Sequence, residues 1–215
     1  MEVAETTNNF LQGTLMPEEA AFIANAVTKR QLEFAAVRFC ARICLKNLGQ
    51  PPAAIVPGLA GAPRWPSNVV GSMTHCNGYS AAAVGLASRI LTVGIDAEPH
   101  EPLPEGVLDL VASPSEIGML NGLSRTNPEI FWDKILFSAK ESFYKAWFPL
   151  TSKWLDFLQV EVSISAQDET FSALALTVEP LPSEACLTKL GGRWLIGGNL
   201  VMTSIVILSD TVSDR

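Results

Sequence analysis

The sequence predicts an α+β fold of two similar-sized halves, each with a long helix packed on a small antiparallel sheet. The first observation is the order of predicted elements, which runs helix, strands, helix, strands over 215 residues. The second is a composition of 48% hydrophobic and 17% charged residues, which is typical of a packed globular protein and not of a disordered chain. A chain of this length forms one large domain or two small ones and buries about 70% of its extended surface.

The first half begins with two predicted helices between residues 14 and 49. Pro17 suits the first turn of a helix, and the two glutamates after it suit the positive end of the helix dipole. Thr28 and Gln31 have the spacing of a capping box, which predicts the start of the second helix. Gly49, followed by two prolines, predicts its end.

Short β-rich segments follow a Gly/Pro-rich loop at residues 55–66. The predicted strands are Val69–Thr74, Tyr79–Ala87 and Ile90–Asp96, joined by turns. A proline-rich connection at residues 99–104 then leads to the second half. We therefore expect domain halves at residues 1–104 and 105–215.

The second half repeats the order of helix and strands. A short helix is predicted from Pro114 to Leu123, and a longer one from Asn127 until Pro149 closes it. The predicted strands of this half are Gln159–Ser165, Thr170–Val178, Arg193–Ile196 and Leu200–Leu208. No sequence repeat relates the two halves.

The charge balance excludes several classes of function. The chain has 15 Lys and Arg against 22 Asp and Glu, a net charge of −7, which argues against a nucleic-acid binder. The 2 histidines leave little room for a His-rich metal site. The first ten residues lack a basic segment before an apolar one, and no apolar run reaches 18 residues, so neither a secretory signal nor a membrane span is predicted.

The four cysteines show no C-x-x-C spacing, which favours a reduced, cytoplasmic protein. Cys40 and Cys44 lie four residues apart in a helical pattern, which is typical of two small buried hydrophobic residues. A zinc pair completed by His75 is the weaker alternative.

Arg30, Arg38 and Arg42 form a row along one edge of the second predicted helix, because steps of four residues drift only about 40° on a helix. A solvated face is the ordinary explanation of such a row. The functional alternative is capture of an anion, since guanidinium groups hold phosphate through paired donors.

Two strand ends carry polar residues. Thr74 and His75 end the first strand, where a hydroxyl and an imidazole can both donate to a phosphate or serve the fold alone. Asp96 and Glu98 end the third strand two residues apart, so their side chains share a face and can reach one cation. Mg²⁺ prefers such oxygen ligands, although a polar strand end is the ordinary explanation.

The long helix of the second half carries the string K-E-x-x-x-K. Its apolar residues form one stripe at helical spacing, namely Trp132, Ile135, Leu136, Ala139, Phe143, Ala146 and Trp147. Glu141 and Lys145 lie on the opposite face at i and i+4, and Lys140 lies at the edge of the stripe. This is either a solvent-side ion pair or a base and a cation presented together to a cleft.

These strings occur in a distinctive order: GSMTHC at 71–76, GIDAE at 94–98 and FSAKESFYKAW at 137–147. Their order resembles the three motifs of the 4′-phosphopantetheinyl transferases, of the larger single-chain type that serves siderophore, non-ribosomal peptide and polyketide synthases. The flanking segments 29–42 and 61–66 are similar to the bacterial enterobactin-synthetase subgroup, including its actinobacterial members. The resemblance runs from about Pro17 to Leu155.

The resemblance implies transfer of the phosphopantetheine arm of coenzyme A to a serine of a carrier protein, with release of 3′,5′-ADP. It also implies a pseudo-twofold relation of the halves and a monomer. Asp96, Glu98 and Glu141 would hold Mg²⁺. Glu141 would also activate the serine, and Lys145 would stabilise the departing phosphate. Coenzyme A would be bound by Arg30, Arg38, Arg42, Gly61, Ala62, Pro63, Thr74, His75, Asp96, Lys140, Glu141 and Lys145, the backbone at 61–63 lining the adenine.

The sequence departs from the family pattern in one loop. Relatives often carry a lysine or arginine where residues 56–60 have none, so that either a coenzyme A contact is absent or Arg64 replaces it. Phe137 stands where many relatives have tryptophan.

The expected partners are acyl or peptidyl carrier domains of polyketide, non-ribosomal peptide or fatty-acid synthases, with neither nucleic acid nor membrane. The segment from Val107 to Leu123 is either a docking surface for the carrier or part of the core. Two other functions stay open at this point. One is a Mg²⁺-dependent phosphohydrolase, and the other is a degenerate homologue that binds coenzyme A or a carrier without transfer.

Overall fold

The computed structural model describes residues 1–7, 15–176 and 188–209. It confirms the predicted α+β class, with two sheets and several helices. The chain divides into two compact units, the first of Met1–Ile95 with Val206–Arg215 and the second of Asp96–Ile205. This division lies inside a strand, at residues 95–96, and residues 206–209 belong to the first unit, whereas the sequence predicts a boundary between residues 104 and 105.

The helices and strands have the following bounds. The helices are α1 (Pro17–Ile23), α2 (Thr28–Asn47), α3 (Val107–Val111), α4 (Pro114–Thr126) and α5 (Trp132–Thr151). The strands are β1 (Glu2–Thr6), β2 (Val69–Cys76), β3 (Tyr79–Leu86), β4 (Ile90–Pro99), β5 (Val160–Ser165), β6 (Thr170–Ala175), β7 (Lys189–Gly197) and β8 (Leu200–Leu208).

The first unit packs α2 on a sheet of order β1-β3-β2 with antiparallel pairs. Its core includes Cys44, Leu45 and Ile55, all fully buried, against Ala82 and Val84 of the central strand. The edge strand β1 was not predicted; its five residues alternate half-buried and exposed side chains. So short and polar a segment gains its stability from pairing with β3 and gives little local signal.

The start of α2 differs from the prediction. Val27 is its N-cap residue, and no side chain caps it. The Gln31 amide instead donates to the carbonyls of Ile23, Ala24 and Ala26, at the end of α1. The predicted capping box of Thr28 and Gln31 is therefore wrong, because the glutamine satisfies orphan carbonyls of the preceding helix end instead of the N-terminus of its own.

Cys40 and Cys44 are both fully buried on α2, which confirms them as small core residues. Their thiols donate to the carbonyls of Ser80 and Ala82 on β3. Burial raises the pKa of each thiol to about 11. Both thiols thus have backbone partners on β3, and among the described residues no three His, Cys, Asp or Glu side chains have the spacing of a metal site in this structure. Cys186 lies outside the described residues.

The second sheet has the order β4-β8-β7-β6-β5, in which β5 to β8 pair antiparallel. The apolar stripe of α5 packs on it, with Ile135, Leu136, Phe143 and Trp147 fully buried. The helix continues two residues beyond Pro149 to Thr151, so Pro149 does not close it as predicted. Ser152 is the C-cap residue; its backbone is left-handed and its N–H donates to the Phe148 carbonyl.

The described part of the chain has no helix long and apolar enough to cross a membrane.

Gly192 on β7 lies directly opposite Phe171 on β6. A Cβ at this position would overlap the Phe171 ring and stand 2.7 Å from the carbonyl oxygen of Ser204. The neighbouring Gly191 has no atom within 4 Å of such a Cβ. Only a residue without a side chain lets the aromatic ring lie against the strand at position 192.

We therefore expect Gly192→Ala to lower the stability of the protein by about 1–3 kcal/mol, the usual cost of overpacking. Gly191→Ala is the matched control, with an expected change within about 0.5 kcal/mol. Urea denaturation of both variants measures the difference. Equal midpoints for the two variants would contradict the close packing of Phe171 on Gly192.

Candidate active site

Two carboxylates stand on β4 within the second unit, where that strand leaves the core. Asp96 and Glu98 lie two residues apart, so both side chains point to the same face. Asp96 is 4% exposed, whereas Glu98 is only partly buried. The strand continues to Pro99, which confirms the prediction that these two side chains share a face.

The Asp96 carboxylate is held by two side chains of α5. Ser138 Oγ donates to Oδ2 at 2.8 Å, and Lys145 Nζ donates to Oδ1 at 2.7 Å. Thr203 on β8 in turn donates to the Ser138 carbonyl at 2.8 Å. A buried carboxylate needs such partners, because taking its charge out of water without them is costly. These bonds fix α5 against the end of β4.

Glu98 faces Lys134, whose ammonium nitrogen lies 3.8 Å from its carboxylate. The pKa of Glu98 is raised to about 7, mainly by burial and then by the negative charge of Asp96. Lys134 and Lys145 lower this pKa, and Glu141 raises it. Asp96 and Glu141 are therefore close enough to Glu98 to disfavour its negative charge.

Glu141 lies one helical turn before Lys145 on α5. Burial raises the pKa of its carboxyl, an effect that Lys145 opposes and Asp96 reinforces. Lys145 forms an ion pair with Asp96 and its charge also acts on Glu141, so these two helix residues belong to a larger charged group and are not an isolated solvent-side pair. The face of α5 opposite the apolar stripe lies against the end of β4, and Glu141 and Lys145 on this face are partly buried.

Two residues of this arrangement, Lys134 and Ser138, were not among the predicted site residues. Both were visible in the spacing, because steps of four, three and four residues connect them to Glu141 and Lys145. This spacing places all four side chains along one face of α5. A polar row along a helix that is otherwise largely buried is the signal that identifies the site.

Lys140 points elsewhere, although it precedes Glu141. Its ammonium group is buried and donates to Glu116 Oε2 at 2.8 Å, the Val111 carbonyl at 2.7 Å and the Phe157 carbonyl at 2.9 Å. Burial lowers its pKa, which the Glu116 charge opposes. An ammonium group has three hydrogens, and these acceptors use all of them. The contacts do not favour the predicted role of Lys140 in holding a coenzyme A phosphate.

Arg30 and His75 meet within the first unit. The Arg30 guanidinium donates to His75 Nε2 at 2.6 Å. Because a guanidinium cannot accept, this bond assigns the imidazole proton to Nδ1, which lies 3.8 Å from the Glu33 carboxylate. Glu33 also lies 3.9 Å from Arg30. Arg30 is half-exposed, so a cation and an imidazole are presented together at the surface of this unit.

Arg38 and Arg42 are engaged in the interior of the same unit. Arg38 is 4% exposed, lies over the Phe34 ring, and donates to the carbonyls of Ile55 and Phe34. Burial lowers its pKa to about 9. Arg42 pairs with the fully buried Glu19 through both carboxylate oxygens at 2.9 Å. Among the three arginines of the predicted row, Arg30 is the most exposed to solvent.

The other predicted contacts also lie in the first unit. Thr74 is buried on β2, opposite Ala81. Residues 61–63 close a single 3₁₀ turn, where Pro63 pairs with Pro57. The side chain of Arg64 crosses Gly58, with Nε 3.0 Å from where a Cβ would lie. A cationic side chain thus covers the loop 56–60 that has no cation of its own.

Two family models match the chain. Residues 18–85 match the 4′-phosphopantetheinyl transferase N-terminal domain, and residues 92–197 match the 4′-phosphopantetheinyl transferase superfamily. A curated 4′-phosphopantetheinyl transferase, Svp of Streptomyces mobaraensis, is 50% identical over 193 residues, 90% of this chain and 78% of that protein. The chain belongs to the 4′-phosphopantetheinyl transferase superfamily.

Further relatives of this transferase agree. PptT of Mycobacterium tuberculosis is 48% identical over 90% of this chain and 86% of that protein. Enterobactin synthase component D of Salmonella typhi is 26% identical over 90% of this chain and 79% of that protein. The predicted fold class and enzyme class are confirmed, while the similarity to the enterobactin protein is more distant than that to the two actinobacterial transferases.

The contacts of the arginine row predict different effects on stability. Arg42→Met leaves Glu19 buried without its partner, and we expect a loss of about 2–4 kcal/mol. Arg30→Met removes a half-exposed cation, with an expected change within about 0.5 kcal/mol. Thermal or urea denaturation measures both. A similar small loss for both variants would show that the Arg42–Glu19 pair contributes little to the fold.

Proposed function

We propose that this transferase moves the 4′-phosphopantetheine group of coenzyme A to a serine hydroxyl of an apo carrier protein and releases 3′,5′-ADP. A bond forms between the serine oxygen and the phosphorus of the phosphopantetheine, and the bond from that phosphorus to the bridging pyrophosphate oxygen breaks. The observation that carries the proposal is the group of Asp96, Glu98, Glu141 and Lys145 at the end of β4. The relatives at 48–50% identity support it.

Mg²⁺ would be held by Asp96, Glu98 and Glu141. This cation prefers oxygen donors. Burial and the negative charge of Asp96 raise the pKa values of Glu98 and Glu141, and a divalent cation would relieve the repulsion among these carboxylates. In this structure the described carboxylates are not spaced as metal ligands. Asp96 and Glu98 instead face lysine side chains. When bound, the cation supplies charge stabilisation for the pyrophosphate as the leaving group departs.

Glu141 is the proposed general base. Its carboxylate is partly buried beside Lys145, and burial raises its pKa above the ordinary value, which makes it a stronger base. It would take the proton of the serine hydroxyl, directly or through a water molecule. Lys145 would stabilise the negative charge that develops on the departing phosphate.

The phosphates of coenzyme A would be bound by residues of the first unit. Arg30 and His75 offer a guanidinium and an imidazole side by side, and Thr74 precedes the histidine on β2. Arg38 would also bind the 3′-phosphate, and Arg42 is a further candidate. In this structure Arg38 contacts the Ile55 carbonyl and Arg42 contacts Glu19. The backbone of Gly61, Ala62 and Pro63 would line the adenine, and Arg64 would serve in place of the cation that the loop lacks.

The carrier partners would be acyl or peptidyl carrier domains of polyketide, non-ribosomal peptide or fatty-acid synthases. We assign the enzyme to the single-chain type of the enterobactin-synthetase subgroup, acting as a cytoplasmic monomer. The segment 107–123 would contact the carrier, and it contains the 70% exposed Leu110 beside the buried Val111 and Leu120. Both docking and core residues therefore occur in this segment.

Incubation with an apo carrier protein, coenzyme A and Mg²⁺ tests the reaction. We expect the intact mass of the carrier to rise by about 340 Da, the phosphopantetheine increment of a group carrier. Turnover of coenzyme A without any mass gain would instead indicate a phosphohydrolase. Binding of coenzyme A without turnover, with several carriers, would indicate a degenerate homologue.

Glu141→Gln should lower the transfer rate by about 10²–10⁴-fold, because the amide can neither accept the serine proton nor carry the charge that a cation requires. Glu129→Gln is the matched control, since Glu129 is an exposed glutamate. The rate is measured from the mass gain at saturating coenzyme A. Full activity of Glu141→Gln would refute the assignment of Glu141 as base and metal ligand.

A further inference from the structure

The buried pair of Lys140 and Glu116 connects several segments of the second unit. Lys140 is 2% and Glu116 1% exposed. Glu116 Oε2 also accepts from the Ser113 N–H at 2.7 Å, and Oε1 accepts from the Val162 N–H at 2.8 Å. Together with the bonds from Lys140 to the carbonyls at 111 and 157, this pair joins the end of α3, the start of α4, α5, the turn at 157–159 and β5.

We propose that Lys140 is a positioning residue for Glu141, acting through Glu116, and is not a ligand of coenzyme A. The proposal rests on the proposed function, because it concerns the geometry of the transfer step. Lys140, the first lysine of the K-E-x-x-x-K string, thus positions the helix, and Lys145, the second lysine, contacts the departing phosphate.

The hydrogen bonds of Lys140 argue against binding of a phosphate. Each ammonium hydrogen has an acceptor between 2.7 and 2.9 Å away, and one of these acceptors is a carboxylate. Turning the side chain toward a ligand would leave Glu116 as a buried charge without a cation, which is strongly unfavourable. It would also remove the donor from two carbonyls in the interior.

The geometry of α5 argues for positioning. Successive residues on a helix point about 100° apart, so fixing the direction of Lys140 also fixes that of Glu141. On its other side, α5 is held by the bonds of Ser138 and Lys145 to Asp96. Two sets of bonds on different faces thus set the rotation of the helix about its axis. A displacement of about 1 Å at a reacting group can cost 10²-fold in rate.

The test compares Lys140→Met, Glu116→Gln and the double variant with the wild type. For each we would measure the folded fraction by denaturation, the dissociation constant of coenzyme A by calorimetry, and kcat and KM for transfer to an apo carrier. Glu116→Gln is nearly isosteric and keeps an acceptor for the Val162 N–H, so it reports on the pair even if Lys140→Met does not fold. Leu45→Ala, a cavity in the core of the first unit, is the control for general destabilisation.

We expect kcat per folded molecule to fall by about 10- to 100-fold in both single variants, with the affinity for coenzyme A changed less than twofold. The double variant should lose about as much as either single one, because both act through the same pair. Leu45→Ala should lower the folded fraction and leave kcat per folded molecule unchanged.

Two results would overturn the proposal while the wild type remains active. A loss of coenzyme A affinity of tenfold or more in Lys140→Met, absent from Glu116→Gln, would make Lys140 a substrate ligand. An unchanged kcat per folded molecule in both would make the pair purely structural. A wild type that binds coenzyme A and modifies no carrier would contradict the proposed function itself, which is a separate outcome.

Discussion

The contact between Asp96 and α5 is the interaction on which the organisation of the site depends. A carboxylate that is 4% exposed is tolerated only with strong partners, and Asp96 obtains them from Ser138 and Lys145, seven residues apart on one helix. The same two bonds align α5 with the end of β4, and so bring Glu141 near Asp96 and Glu98. The need to satisfy one buried charge thus arranges the whole group of acidic side chains.

Local patterns predicted much of the fold and most of this group. The bounds of β8 follow directly from its continuous apolar run, and the stripe of α5 from its helical spacing. The spacing of Asp96 and Glu98 predicted a shared face, which an extended strand guarantees. These features depend on residues that are near one another in sequence, and the backbone geometry of one element decides them.

The errors concern partners that are distant in sequence. Gln31 serves the end of the preceding helix and not its own, because the chain turns back at residues 24–27. Lys145 donates to Asp96, 49 residues away, which the spacing along its own helix does not predict. A helical wheel places Lys140 at the edge of the apolar stripe, but it cannot show that the buried carboxylate of Glu116 accepts a hydrogen bond from it. Each choice is made by tertiary packing, which no local rule contains.

The lysines of α5 sit in three environments along a single helix, and this has a consequence for the chemistry of their amines. An amine reacts with an electrophile only when it is reachable and carries a free electron pair. Lys140 is enclosed by three acceptors, and Lys134 is nearly as buried. Lys145 keeps 27% of its side chain exposed. Of the three amines, Lys145 is therefore the most accessible to a small acylating reagent, and its ion pair with Asp96 is what opposes the reaction.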